Sequence, residues 1–124
     1  MSKVLIVEDE AVLQEVYALV LSSNGFDVSV ADNGLDGLNS VKKNVPDVVL
    51  LDIFMPVMDG KDFLKNLDKS FYPNMKIIVY TNLSDSATRA EMMELGADDF
   101  VLKSAMIPSD LIALVSSAAD SSRD

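Results

Sequence analysis

A chain of 124 residues that is 49% hydrophobic is long enough for one domain with a layered core and too apolar for a disordered tail. It contains no cysteine and no histidine, which excludes disulfides, thiolate and zinc–histidine centres, serine–histidine triads and a phosphohistidine on this chain. A net charge of −10 argues against direct binding of nucleic acid or an anionic membrane, both of which need a basic face. No apolar run reaches the length of a signal sequence or a membrane span, so the expected location is cytoplasmic.

In chain order, residues 4–7 (VLIV) read as a first strand, short, apolar and β-branched. A helix follows, with Val12, Leu13, Val16, Leu19 and Val20 expected on its inner face and Asn24–Gly25 as its stop. Residues 28–31 (VSVA) alternate, as an edge strand does. The helical pattern over 34–43 carries Leu35, Leu38 and Val41 at spacings of three. Residues 48–51 (VVLL) form a third strand, 61–67 a short helix and 77–80 (IIVY) a fourth strand. A helix over 84–95 closes at Gly96, 100–102 (FVL) form a fifth strand, and Pro108 opens a last helix to about Ala119. There is no internal repeat or linker, so residues 1–120 are expected to be one domain and 121–124 a frayed tail.

Five strand–helix alternations imply an α/β fold, a doubly wound five-stranded parallel sheet with helices on both faces. Continuously apolar strands belong in the centre, so the flavodoxin-like order 2-1-3-4-5 is expected. Ligands of such sheets bind beyond the carboxyl ends of the strands. There the sequence places Glu8, Asp9 and Glu10 after the first strand, Asp52 after the third, Thr81 after the fourth and Lys103 after the fifth. Crowded carboxylates repel, and an all-oxygen rim suits Mg²⁺ or Mn²⁺. A cation, a lysine and a hydroxyl around an open carboxylate are the parts that hold a phosphoryl group, which Asp52 could accept as an aspartyl phosphate.

The stretches VLIVEDE, VVLLDIFMPVMDG, IIVYTN and GADDFVLKS, in this order and spacing, resemble the landmarks of the receiver domain of two-component response regulators. The resemblance spans nearly the whole chain. It implies that Asp52 takes phosphate from the phosphohistidine of a histidine kinase or phosphotransfer protein. It also implies that Asp9, Asp52 and the Phe54 backbone carbonyl ligate Mg²⁺ with Glu8 acting through water, and that Thr81 and Lys103 hold the phosphoryl oxygens. Phe100 matches the family's aromatic switch position, expected to move with Thr81. Two positions depart from the pattern: Ser104 stands where most relatives have proline, and Asn82 where a small residue is usual.

The expected function is therefore a phosphoryl-accepting signalling switch and not an enzyme in its own right, read by an unidentified output protein. The expected output face is the fourth helix, fifth strand and fifth helix, around Arg89, Met92, Phe100 and Met106. With few basic residues there, a monomer is expected, dimerising at most weakly when phosphorylated. Apolar Phe54 and Leu83 are expected to exclude attacking water and lengthen the life of the aspartyl phosphate. Two alternatives are a receiver piece of a longer transcriptional regulator and a phosphatase of the haloacid dehalogenase type. The second is disfavoured because its nucleophile follows the first strand and is trailed by a second Asp, where this chain has Phe54.

Overall fold

The computed structural model describes residues 1–82 and 85–122. Leu83, Ser84 and the last two residues of the tail lie outside the described residues. The strands are β1 (Lys3–Val7), β2 (Asp27–Ala31), β3 (Val48–Asp52), β4 (Lys76–Thr81) and β5 (Asp99–Leu102). The helices are α1 (Ala11–Ser22), α2 (Gly34–Lys43), α3 (Gly60–Asn66), α4 (Ser86–Glu94) and α5 (Pro108–Ser122). The sheet is parallel throughout, with the expected order β2-β1-β3-β4-β5.

The strict alternation of side chains along a strand divides the core in two. Leu5, Val7, Val49, Leu51, Ile77 and Val79 face α2, α3 and α4 through Leu38, Val41, Phe63, Leu64 and Met92. Val4, Ile6, Val48, Leu50, Ile78 and Tyr80 face α1 and α5 through Tyr17, Leu21, Leu111 and Val115. Buried on both faces, β3 from Val48 and β4 from Ile77 carry only aliphatic or aromatic side chains until they emerge at Asp52 and Thr81.

Three sequence expectations fail in the packing. In α1 the inner face is Tyr17 and Leu21, with Leu13 and Val20 half-buried, whereas Val12, Val16 and Leu19 are exposed. Leu35 is likewise exposed, and Leu38 and Val41 alone carry the apolar face of α2 beside the buried Gly34 and Gly37. Met92 is 1% exposed and belongs to the core, so it cannot be part of an output surface. Helix ends follow local chemistry. Asn33, Asp59 and Asp85 each accept a backbone N–H at the start of α2, α3 and α4. Gly25 and Gly96 take the positive φ that ends α1 and α4.

The loop from β3 to α3 holds a strained residue. Val57 has φ 68°, a left-handed conformation that a β-branched side chain strongly disfavours. It sits at the tip of a tight turn closed by the Met58 N–H donating to the Pro56 carbonyl at 2.7 Å. The Met58 carbonyl in turn accepts from the Gly34 N–H at 2.8 Å, which pins the turn to α2. Val57 is exposed and packs little, so Val57→Gly is expected to stabilise the protein by about 1 kcal/mol, strain relief outweighing the entropy of glycine in the unfolded chain. A lower urea midpoint in the variant would refute the strain.

Candidate functional site

Strand register brings the polar residues into one place. Leu50 pairs with Ile6 and Asp52 with Tyr80, so Glu8, Asp52 and Tyr80 extend one row across the sheet, all on the side of α1 and α5. Asp9 and Glu10 follow at the start of α1, and Lys103 follows β5 in a single 3-10 turn (Lys103–Ala105). The Glu8 corner is held by backbone and by a residue the sequence reading overlooked. The Glu8 N–H donates to the Ala31 carbonyl at 3.0 Å, and the Gln14 amide donates to the Glu8 carbonyl and to Asp32 Oδ1, each at 3.0 Å.

Lys103 is the electrostatic centre. Its Nζ donates to Glu8 Oε1 at 2.7 Å and to Asp52 Oδ2 at 3.0 Å, and lies 3.7 Å from Glu10 Oε2. Glu8 is 0% exposed and Asp52 5% exposed, so neither carboxylate can rely on water. Burial pushes the Glu8 carboxyl up, its bond to Lys103 pulls it down, and neighbouring Asp52 pushes it up again, leaving it raised. Burial alone would lower the Lys103 ammonium, but the bonds to Glu8 and Asp52 outweigh it and hold the group above its ordinary value. The residues form a site whose excess negative charge one lysine does not balance.

Glu8, Asp9 and Asp52 each offer a carboxylate oxygen, and these oxygens lie within 4.8 Å of one another. Such an all-oxygen set with one exposed member fits Mg²⁺, which keeps several waters. Asp52, Phe54, Thr81, Asn82 and Lys103 line a cleft of about 250 Å³. Glu8 does not line it and Asp52 does, which separates the carboxylate that can meet an incoming group from the one that supports it. Thr81 is buried at the cleft wall, and Phe54 is exposed at its lip. The peptide between Lys103 and Ser104 is trans.

Gly60, the first residue of α3, shows how tightly the loop is drawn onto Asp52. A Cβ there would meet the Asp52 carbonyl oxygen at 2.3 Å and the Ile53 Cα at 2.9 Å, and its N–H donates to the Ile53 carbonyl at 2.8 Å. Any side chain at this position must displace backbone beside Asp52.

A family model described as the response regulator receiver domain matches residues 4–116. This chain belongs to that family. The receiver domain is 43% identical over 101 residues to a protein described as a probable transcriptional regulator, ycf27, of Guillardia theta, covering 82% of this chain and 39% of that protein. It is 34% identical over 113 residues to the DNA-binding response regulator MtrA of Mycobacterium tuberculosis, covering 91% of this chain and 48% of the relative. The chain thus spans less than half the length of these two curated relatives. Among solved structures, it is similar to the receiver domain of the Francisella response regulator 1452, with 28% identity and TM-score 0.87 over 97% of this chain and 98% of that one. It is equally similar to the chemotaxis response regulator CheY4 of Vibrio cholerae, with 28% identity and TM-score 0.87 over 95% of this chain and 98% of that one. Receiver domains are signalling switches of two-component systems, and the flavodoxin-like architecture expected from the sequence is theirs.

Of the residues expected at the site, Glu8, Asp9, Asp52, Phe54, Thr81 and Lys103 come together. Phe100 lies apart. It is buried in the core and lines, with Asp85, Ser86, Arg89 and Leu102, a groove of about 270 Å³ between α4 and β5. Met106 lines a second groove of about 240 Å³ between β5 and α5, with Val101, Leu102, Ala105, Asp110 and Leu114. Missed entirely was Tyr80, whose ring lies 5.0 Å below Lys103 Nζ. Its only trace in the sequence is a hydroxyl at the end of an otherwise aliphatic strand, immediately before Thr81.

Proposed function

We propose that Asp52 is the phosphoacceptor of this receiver domain, and the observation that carries it is the division of labour among the carboxylates. Asp52 alone both lines the cleft and bonds to Lys103. An Asp52 carboxylate oxygen forms a P–O bond as the P–N bond of a donor phosphohistidine breaks. The electron pair leaves on the imidazole nitrogen. Glu8, Asp9, Asp52 and the Phe54 carbonyl would hold Mg²⁺, which when bound neutralises charge on the transferring phosphoryl group. Lys103 pairs with one phosphoryl oxygen and the Thr81 hydroxyl donates to another. Drawing Thr81 toward the cleft biases Phe100, two-state fashion, because a phosphoryl group that binds one arrangement better shifts the population toward it. The test is incubation with acetyl phosphate and Mg²⁺, followed by intact-mass measurement and mapping of the modified residue. One phosphoryl group on Asp52 is expected, and a label elsewhere would defeat the assignment.

The output face then lies on α4, β5 and α5, where Arg89 is exposed beside the groove that Phe100 lines, and Met106 lines the next groove. Arg89 is the single basic residue of α4, and residues 108–122 contain none, so crossed salt bridges between two copies have little to draw on. A monomer without phosphate and weak association with Mg²⁺ and beryllofluoride are expected by sedimentation. A tight activated dimer, lost in Arg89→Ala, would instead favour a second reading, in which this domain is the receiver part of a longer transcriptional regulator. The names of the curated relatives support that reading. In either case DNA contact falls outside this acidic domain.

A further inference from the structure

The residue next to Thr81 has a hydroxyl that completes no hydrogen bond, although the Glu8 carboxylate is its polar neighbour. Tyr80 is 0% exposed, and its Oη is the one buried side-chain oxygen or nitrogen without a hydrogen-bond partner among the described residues. A fully buried donor left unbonded is costly and uncommon, so it calls for a reason. The surroundings supply one. Tyr80 pairs in register with Asp52 and shares its face of the sheet with Glu8. Its ring stacks at a tilt on Tyr17, 5.6 Å between centroids, which fixes it from the α1 side. Above the ring, 5.0 Å from its centroid, is the Lys103 ammonium, within range of a cation–π attraction. Burial first, then the Glu8 and Asp52 carboxylates, with Glu8 also near enough to accept from the hydroxyl, push the Tyr80 phenol up.

Glu8 is already served by Lys103 at 2.7 Å. A phosphoryl group on Asp52 competes for that ammonium, and the Glu8 Oε1 it leaves needs another donor, since Oε2 faces the Glu10 N–H and Glu8 would meet Mg²⁺ only through water. We propose that Tyr80 is a positioning residue of the phosphoryl site, its ring supporting Lys103 and its hydroxyl donating to Glu8 when Lys103 turns to the phosphoryl group. This rests on the reading of Asp52 as phosphoacceptor. The bond between Tyr80 and Glu8, left incomplete while Lys103 holds Glu8, then closes when the site carries a phosphoryl group.

Tyr80→Phe keeps the ring and removes the hydroxyl; Tyr80→Leu removes both. The measurements are the melting temperature without metal and the affinity for beryllofluoride with Mg²⁺ by calorimetry. For Tyr80→Phe the metal-free melting temperature is expected to be unchanged or higher, because no bond is lost there. Its beryllofluoride affinity is expected to fall about tenfold, the size of one hydrogen bond to a charged group. Tyr80→Leu is expected to weaken it further through loss of the support under Lys103. Wild-type affinity in Tyr80→Phe would overturn the proposal, as would an equal loss of melting temperature with and without the ligand, which marks mere packing. Failure of the wild type itself to bind beryllofluoride would overturn the phosphoacceptor reading and this one with it, a result that no Tyr80 variant can mimic.

Discussion

Asp52→Asn is expected to take up no phosphoryl group from acetyl phosphate and, at the same time, to be more stable than the wild type without metal. Both effects have one cause. Asparagine has nearly the shape of aspartate, so the row across the sheet and the cleft wall keep their form, but the amide is not a nucleophile toward phosphorus. The stability gain comes from electrostatics. Glu8, Asp9 and Asp52 hold oxygens within 4.8 Å of one another, with Lys103 alone bridging the two buried members. Burial is the main reason the Glu8 carboxyl is raised, and removing one of three like charges lowers the further push from Asp52. A gain of roughly 1 kcal/mol is expected, a melting temperature about 3–5 °C higher for a chain of this size. Mass measurement after acetyl phosphate treatment and a thermal scan in EDTA check the two parts. Labelling of the variant at the wild-type level would move the nucleophile to another residue. A less stable variant would mean that the bond from Lys103 to Asp52 outweighs the crowding.

The sheet order and the acidic rim were legible in the sequence because β1, β3 and β4 are apolar on both faces. A strand of that kind has one place in the fold, and the first polar residue beyond it must emerge at the rim. Helix faces were less legible. Along α1 the residues Ala11, Val12, Leu13, Val16, Tyr17, Ala18, Leu19, Val20 and Leu21 are apolar nearly all round, so periodicity alone cannot choose a face. The choice falls to Tyr17, which packs on Tyr80, a contact across the core that no local pattern contains. Met92 and Met93 pose the same problem in miniature, since neighbours on a helix point different ways and only tertiary packing buries the first. Tyr80 was illegible for a further reason. An aromatic residue ending an apolar strand reads as core, which it is, and its hydroxyl becomes chemically interesting only when the register sets it beside Asp52.

Lys103→Met should give the largest loss of stability, and the loss should depend on metal. Methionine keeps much of the length and apolar stem of lysine and removes the ammonium. Without metal, Glu8 is then left with no positive partner while 0% exposed, beside Asp52 at 5%. Removing one member of a buried ion pair typically costs 3–5 kcal/mol because the stranded charge remains. Asp9 and Glu10 are exposed and let water reach the rim, so the lower end, about 3 kcal/mol, is expected. Mg²⁺ should recover about half of it, since Lys103 and the ion draw on the same carboxylates. Without that competition the variant should bind Mg²⁺ about tenfold more tightly than the wild type, equivalent to about 1.4 kcal/mol of relieved competition. Ligand linkage then returns stability in proportion to the logarithm of the free Mg²⁺ concentration. Urea unfolding in EDTA and in excess Mg²⁺, with calorimetric titration of both proteins, separates the effects. An equal loss in the two conditions would show that Lys103 contributes through packing of its stem. Weaker Mg²⁺ binding in the variant would show that lysine and metal cooperate at this rim, and that the ammonium does not stand in for the ion when metal is absent.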